Sequence, residues 1–387
     1  MNQSSKSPLH HLTVLDLTTQ LPGPYSSMLL ADLGATVLKL EPPGGDPLRE
    51  FPPMFASVNR GKQSLVINLK SQQGQQVLHT LAEEANIVLE GFRPGVADRL
   101  GADYETLQRI NPDVIYCSIS GFGQTGPYRD RSGHDINYIS LGGLMGLAEQ
   151  SDGRPAPPPV LISDMASGMY AAIAVLAAIQ HRTATGRGQY IDLSMTESVA
   201  AWMAPEIARA HGEGTAPGRP LLNGLPHYEV FRTSDDRYIS IGVVYESQFW
   251  RRLCDVLGLE EWKELTTEQR MTRNQEIRRR LQDIISTASR EIWDRRLQEA
   301  DVPCGPVYAL DELPEDPQFQ AREIFREVTA SDGSSSRQVI PPFRFSQMPV
   351  GTDTPPPGLG EHSTEILSRH GFTNDQIVTL KHRKIVM

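Results

Sequence analysis

A chain of 387 residues is long enough to bury a substantial core and to form two folding units. Its formal charge of −10, from 37 Lys and Arg against 47 Asp and Glu, gives no electrostatic footprint for nucleic acid or an anionic membrane, so an anionic ligand must be met by a few placed cations. Cys117, Cys254 and Cys304 are far apart and belong to no Cys-x-x-Cys or Cys/His cluster, which argues against a disulfide framework or a metal site and fits a reducing cytoplasm.

The opening Met-Asn-Gln-Ser-Ser-Lys-Ser-Pro lacks the apolar core of a signal peptide. β-Branched and aliphatic runs at 14–17, 36–40, 64–68, 87–90 and 114–118 predict strands. Between them, 25–33, 73–84 and 104–110 carry apolar residues at helical spacing, and Gly34 stands where a helix C-cap belongs. Strands alternating with helical crossovers predict a parallel sheet and an α/β domain. The stretch 141–159 thickens in Gly and Pro and ends in Pro155-Ala-Pro-Pro-Pro159, which is loop chemistry. An apolar helix over 167–180, a strand over 190–193 and one helix over 196–210 follow. The longest apolar stretch, 169–179, is short of the ~20 residues a bilayer requires, so no membrane span is expected.

Residues 211–225 hold Gly212, Gly214, Gly218 and Gly224 with Pro217 and Pro220 and no periodicity, which marks a linker. Runs at 228–232 and 238–242, separated by a turn-forming Thr-Ser-Asp-Asp, predict a hairpin, and 246–257, 274–287 and 290–299 read as amphipathic helices. The expected organisation is therefore a large α/β domain over 1–210, the linker, a smaller α+β domain over 226–301, and a Pro-rich return segment over 302–387 that completes the large domain.

The sequence Asp16-Leu-Thr-Thr-Gln-Leu-Pro-Gly-Pro24 closes a strand and opens a helix, so its backbone amides can face a ligand. Neither Gly-x-Gly-x-x-Gly nor Gly-x-x-x-x-Gly-Lys-Ser/Thr occurs, which removes most support for nicotinamide dinucleotides and P-loop nucleotide hydrolysis. Taken singly, His134 reads as a capping or hydrogen-bonded loop histidine. Asp164 reads as a helix N-cap, and Glu246 as an acid favourable to a helix dipole.

Four further stretches, in order and spacing, resemble one family along nearly the whole chain. They are Asn59-Arg-Gly-Lys-Gln-Ser-Leu-Val-Ile-Asn-Leu-Lys70, Glu90-Gly-Phe-Arg-Pro-Gly-Val-Ala-Asp-Arg-Leu-Gly101, Gly121-Phe-Gly-Gln-Thr-Gly-Pro-Tyr128 with Gly133-His-Asp-Ile-Asn-Tyr138, and Thr185-Gly-Arg-Gly-Gln-Tyr-Ile-Asp192. The resemblance is to the superfamily of family III CoA-transferases and α-methylacyl-CoA racemase. It implies a Rossmann-like large domain, a smaller domain and an interlocked homodimer. Coenzyme A is then part of an acyl-CoA thioester substrate, with no tightly bound cofactor and a carboxylic acid as an acceptor in the transferase branch.

Coenzyme A asks for cations at its phosphates and a backbone-lined groove along its pantetheine. The resemblance assigns Lys70, Arg93 and Arg99 to the former and Leu21 and Phe92 to the latter, and Arg131 and Tyr138 are further binding candidates, Tyr138 in the third motif and Arg131 between its two halves. Pro42-Pro43 stand where relatives often carry an arginine. In the racemase branch, His134 and Asp164 match two bases on opposite faces of the substrate α-carbon, with Asp135 or Glu246 holding the imidazole. This proton exchange is the reading placed first. In the transferase branch, the matching aspartate attacks the thioester as a nucleophile, and Ser163-Asp-Met-Ala-Ser-Gly-Met-Tyr170 looks more like that branch. Met28, Met145, Met165, Met169 and Met203 are candidates for an adaptable acyl pocket.

Overall fold

The computed structural model describes residues 7–147, 154–213, 224–330 and 333–387. The chain divides into two compact units, one of Met1–Ile207 with Gln320–Met387 and the other of Ala208–Phe319.

The first unit is built on a six-stranded, wholly parallel sheet of β1 (Thr13–Asp16), β2 (Thr36–Glu41), β3 (Lys62–Val66), β4 (Ile87–Glu90), β5 (Ile115–Ser120) and β6 (Gln189–Ser194) in the order β3-β2-β1-β4-β5-β6. The crossovers contain α1 (Pro22–Asp32), α2 (Pro52–Asn59), α3 (Gln72–Ala82), α4 (Val96–Arg99), α5 (Tyr104–Ile110), α6 (Asp135–Leu141) and α7 (Ile162–Thr185), and β6 leads into α8 (Met195–Trp202) and α9 (Ala204–Glu213). Helices cover both faces, so both sets of alternating side chains are buried and the strands read as apolar runs. Leu15, Leu38, Leu65, Val88 and Tyr116 face one core, and Val14, Val37, Ile87, Leu89, Ile115 and Cys117 face the other.

The strands' carboxyl ends break this apolar rule. Asp16, Lys39, Glu41, Ser64, Glu90 and Ser118 are all buried there. Lys62 Nζ lies 3.1 Å from Asp16 Oδ2 and also donates to Pro24 O and Asn59 Oδ1 at 2.9 and 2.8 Å. Lys39 Nζ pairs with Asp46 at 2.8 Å, and Arg49 pairs with Glu41 at 2.7 Å. Cations and hydroxyl donors hold the Asp16 carboxyl down at about 2 against its burial, whereas burial depresses Lys62 to about 7 although Asp16 pulls the other way.

Most expected elements form within a few residues of their predicted bounds, and three differences have identifiable causes. The helix predicted over 167–180 runs from Ile162 to Thr185, long and apolar enough by length and composition to cross a bilayer. Its buried face of small residues, including Ala171, Ala172 and Val175, belongs instead to the domain core. Gly168 permits the close approach to α1, since a Cβ there would lie 2.6 Å from Pro22 O. The single helix expected over 196–210 is two, because Pro205 has no N–H to continue the ladder, and the chain turns at Met203 with φ −81° and ψ 3°. The expected linker lies largely outside the described residues.

In the second unit, β7 (Tyr228–Arg232) and β8 (Tyr238–Gly242) form the predicted antiparallel hairpin, and β9 (Cys304–Pro306) adds a third strand beside β8. The chain therefore returns to the first unit near residue 320, later than the expected 302. Three residues ending in a proline give no strand period to read. Trp250, Leu253, Ile277, Leu281, Trp293 and Leu297 fill this unit's core. The returning segment supplies Ile366, Leu367, Ile377 and Leu380 to one face of the parallel sheet.

Candidate active site

Strand order reverses between β1 and β4, whose following chains depart on either side and leave a crevice at their carboxyl ends. A cavity of about 830 Å³ occupies that place. Residues 19–23 after β1, 91–94 after β4 and 119–121 at the end of β5 form three of its walls, and segments around Arg129–Ile139 and Pro157–Asp164 complete them. Of the residues expected from sequence, Leu21, Phe92, Arg93, Arg131, His134, Asp135, Tyr138 and Asp164 line this one cavity.

Each wall has a local cause. Gln20 takes a left-handed backbone with φ 64°, and its N–H donates to Asp46 Oδ1 at 3.0 Å. Such a conformation in a non-glycine residue costs about 1 kcal/mol or more and persists where neighbouring bonds impose it. Tyr138 lies under the loop leading to His134 and donates its hydroxyl to Gly133 O at 2.6 Å. A Cβ at Gly121 or Gly133 would fall 2.5 or 2.7 Å from its ring, so glycine at both positions lets the ring pack there. Arg131 sits over the rings of Tyr128 and Phe122, 5.2 and 5.8 Å from their centroids.

His134 precedes α6, with its N–H bonded to Asn137 Oδ1 at 3.0 Å, and its side chain is exposed in the cavity. Asp135 is buried, and its Oδ1 accepts both the backbone N–H and the hydroxyl of Ser163, each at 2.7 Å. Its visible work is thus to fasten the start of α7 rather than to orient an imidazole. Asp164 lies in the first turn of α7, two residues inside the helix, so it is not the N-cap that its sequence context suggests. Its carboxyl accepts no hydrogen bond from the described residues. Burial first, and then the neighbouring charge of Asp135, push that carboxyl up to about 7.

Three expected site residues fall elsewhere. Lys70 and Arg99 are exposed and outside the cavity lining, although Gln75 Nε2 bonds to Leu69 O at 3.1 Å and Arg99 O at 3.5 Å and so draws their segments together. Glu246 belongs to the second unit, where it stands at the N-cap position of helix α10 (Ser247–Leu257) without a side-chain capping bond, and its Oε2 accepts the Val244 N–H at 3.3 Å. None of the five candidate methionines lines the cavity, and Met54 and Met195 do. Long flexible side chains alternate between core and cavity with no period that a sequence displays. Sequence reasoning also missed Gln20, Arg129, Pro157 and Pro158. The proline run was visible as a loop, but a loop's destination is set by tertiary packing.

The sequence pattern described as CoA-transferase family III matches residues 9–363. The chain is 35% identical over 390 residues to succinate–glutarate CoA-transferase of Agrobacterium fabrum, covering 94% of this chain and 96% of that one. It is 32% identical over 386 residues to human alpha-methylacyl-CoA racemase, covering 98% and 97% respectively. Among solved structures, a CAIB/BAIF family protein from Brucella suis superposes with a TM-score of 0.86 at 32% identity, covering 94% of this chain and all of that one.

Proposed function

Because this chain belongs to CoA-transferase family III, we propose that it moves coenzyme A from an acyl-CoA thioester to a carboxylic acid, with Asp164 as the nucleophile. That it is an enzyme of acyl-CoA thioesters follows from the family itself. The observation that carries the finer reading is the Asp164 carboxyl, which lines the cavity unbonded and desolvated. A carboxylate partly withdrawn from water and without hydrogen-bond donors among the described residues keeps its lone pairs available for attack.

In the proposed cycle, an Asp164 oxygen bonds to the thioester carbonyl carbon and the C–S bond breaks, giving a mixed anhydride and CoA thiolate. The thiolate then attacks the aspartyl carbonyl, which forms an aspartyl-CoA thioester and releases the donor as its carboxylate. The acceptor carboxylate repeats the two steps in reverse, and Asp164 is regenerated. Arg93 and Arg131 supply positive charge to the same cavity, suited to a phosphate or to an acid's carboxylate.

Proton exchange at the α-carbon stands as the second reading, favoured by the presence of His134 in the cavity that holds Asp164. One experiment separates the two. Incubation with an acyl-CoA followed by peptide mass spectrometry is expected to find an acyl or CoA adduct on Asp164, captured as a hydroxamate by hydroxylamine. Deuterium entering the α-carbon in heavy water, with no acid present and no adduct, would give the reaction to the racemase class.

Self-association belongs to the same proposal. Along α7, Met169, Ile173 and Leu176 are 43, 57 and 37% exposed, and their spacing of four and three residues puts them on one stripe. The family resemblance supplies a second copy of this chain as the occupant. Light scattering is expected to give twice 42.9 kDa, with Ile173→Glu shifting the mass toward one chain. A wild-type monomer at micromolar concentration would sink the inference.

A further inference from the structure

Four buried carboxylates end the central strands or the turn beside them. Asp16, Glu41 and Asp46 each have a cation at 3.1 Å or less. Glu90, at the end of β4, is 3% exposed and has none among the described residues. Its Oε2 accepts the Phe92 N–H at 2.7 Å, and Ser118, its partner in the β4–β5 register, is the neighbouring hydroxyl. Gln124 Nε2 donates to that hydroxyl at 2.7 Å, and Gln124 O accepts Arg129 Nε at 3.0 Å. Phe92 and Arg129 both line the cavity. Polar contacts and the β4–β5 register thus connect one wall to another beneath the site, and Glu90 is the buried carboxylate among them.

We propose that Glu90 is a positioning residue that ties the 91–94 wall to the 121–133 loop, and that its ionisation loosens that wall and weakens coenzyme A binding. This rests on the reading that the cavity seats the thioester. The groups facing Glu90 are Tyr116, Cys117 and Ser118 of β5, Tyr190 and Asp192 of β6, and Asp98 of α4. On the β1 side Asp16 is neutralised by Lys62. None of these offers Glu90 a cation, so burial pushes its carboxyl up to about 7. In the neutral form one oxygen keeps the Phe92 N–H while the carboxyl proton is shared toward Ser118, with no charge to solvate. In the ionised form the charge has only neutral donors in a dry pocket, and relief comes from water entry as residues 91–94 shift away.

The test is calorimetric titration of the full-length protein with free coenzyme A between pH 6 and 9, for wild type and Glu90→Gln. The wild-type Kd is expected to rise by about ten-fold between pH 6.5 and 8.5, as linkage to one proton allows. Glutamine keeps an uncharged acceptor and donor, so the ratio of wild-type to Glu90→Gln Kd should rise by about ten-fold over that range, whereas Glu90→Ala should bind more weakly than Glu90→Gln at every pH. Titration of the ligand's own phosphate is common to all three proteins and cancels in their ratios. Equal pH dependence in wild type and Glu90→Gln would overturn the proposal, as would a Glu90→Gln affinity at pH 6 as poor as that of Glu90→Ala. Binding that is tight but independent of pH removes this latch alone, while failure to bind coenzyme A at any pH removes the cavity reading with it.

Discussion

Asp164→Asn lowers kcat on an acyl-CoA donor by on the order of a thousand-fold or more, because an amide neither attacks a thioester nor exchanges a proton. The pH profile of the wild type identifies the reacting form. Since the carboxyl titrates at about 7 and the carboxylate is the nucleophile, log kcat at saturating acyl-CoA should climb with pH up to about 7 and level off above it. Asp135→Asn keeps an acceptor for Ser163 but removes a negative neighbour, so the Asp164 pKa falls and the climb moves to lower pH. A profile unmoved by that substitution would exclude the Asp135 charge from the account. Stability moves oppositely. A carboxyl whose folded pKa is raised favours the fold below its unfolded value of 3.8, and that favour is lost as pH rises through about 7. Asp164→Asn is therefore expected to resist denaturant better than wild type at pH 7.5, and a less stable variant would contradict the desolvation argument.

Lys62→Met destabilises the protein by about 3–5 kcal/mol, the cost of leaving one member of a buried ion pair without its partner. Asp16 would remain 0% exposed with only the hydroxyls of Thr18 and Ser27, the Thr18 N–H and the more distant Lys39 charge to stabilise it. The double variant Asp16→Asn with Lys62→Met should recover at least half of the loss, since a neutral pair of similar volume has no charge to strand. Urea denaturation of the four proteins in the cycle measures this directly. A loss below about 1 kcal/mol for Lys62→Met would mean that the pair contributes no more than a surface bridge. The same cycle bears on function, because Lys62 Nζ also holds the carbonyl of Pro24, one residue beyond the cavity wall at Gly23.

Parallel strands covered on both faces are largely apolar, and helices between them show their period, so the α/β class and the order of elements were legible in the linear chain. The ordered motifs likewise pointed to one family, and eight of its implied site residues meet in a single cavity. What the linear chain withheld has one physical origin, the contact between segments remote in sequence. Asp164 reads as a capping residue until α7 is seen to start two residues earlier, and only burial beside Asp135 makes its carboxyl reluctant to ionise. Glu90 reads as the last residue of a strand until Ser118 and Gln124 arrive from β5 and the loop beyond it. Residue type, spacing and period thus determined the α/β class, and the motifs' family resemblance implied the class of chemistry, whereas tertiary structure decided desolvation, pairing and the destination of each loop, because these depend on neighbours that no local pattern contains.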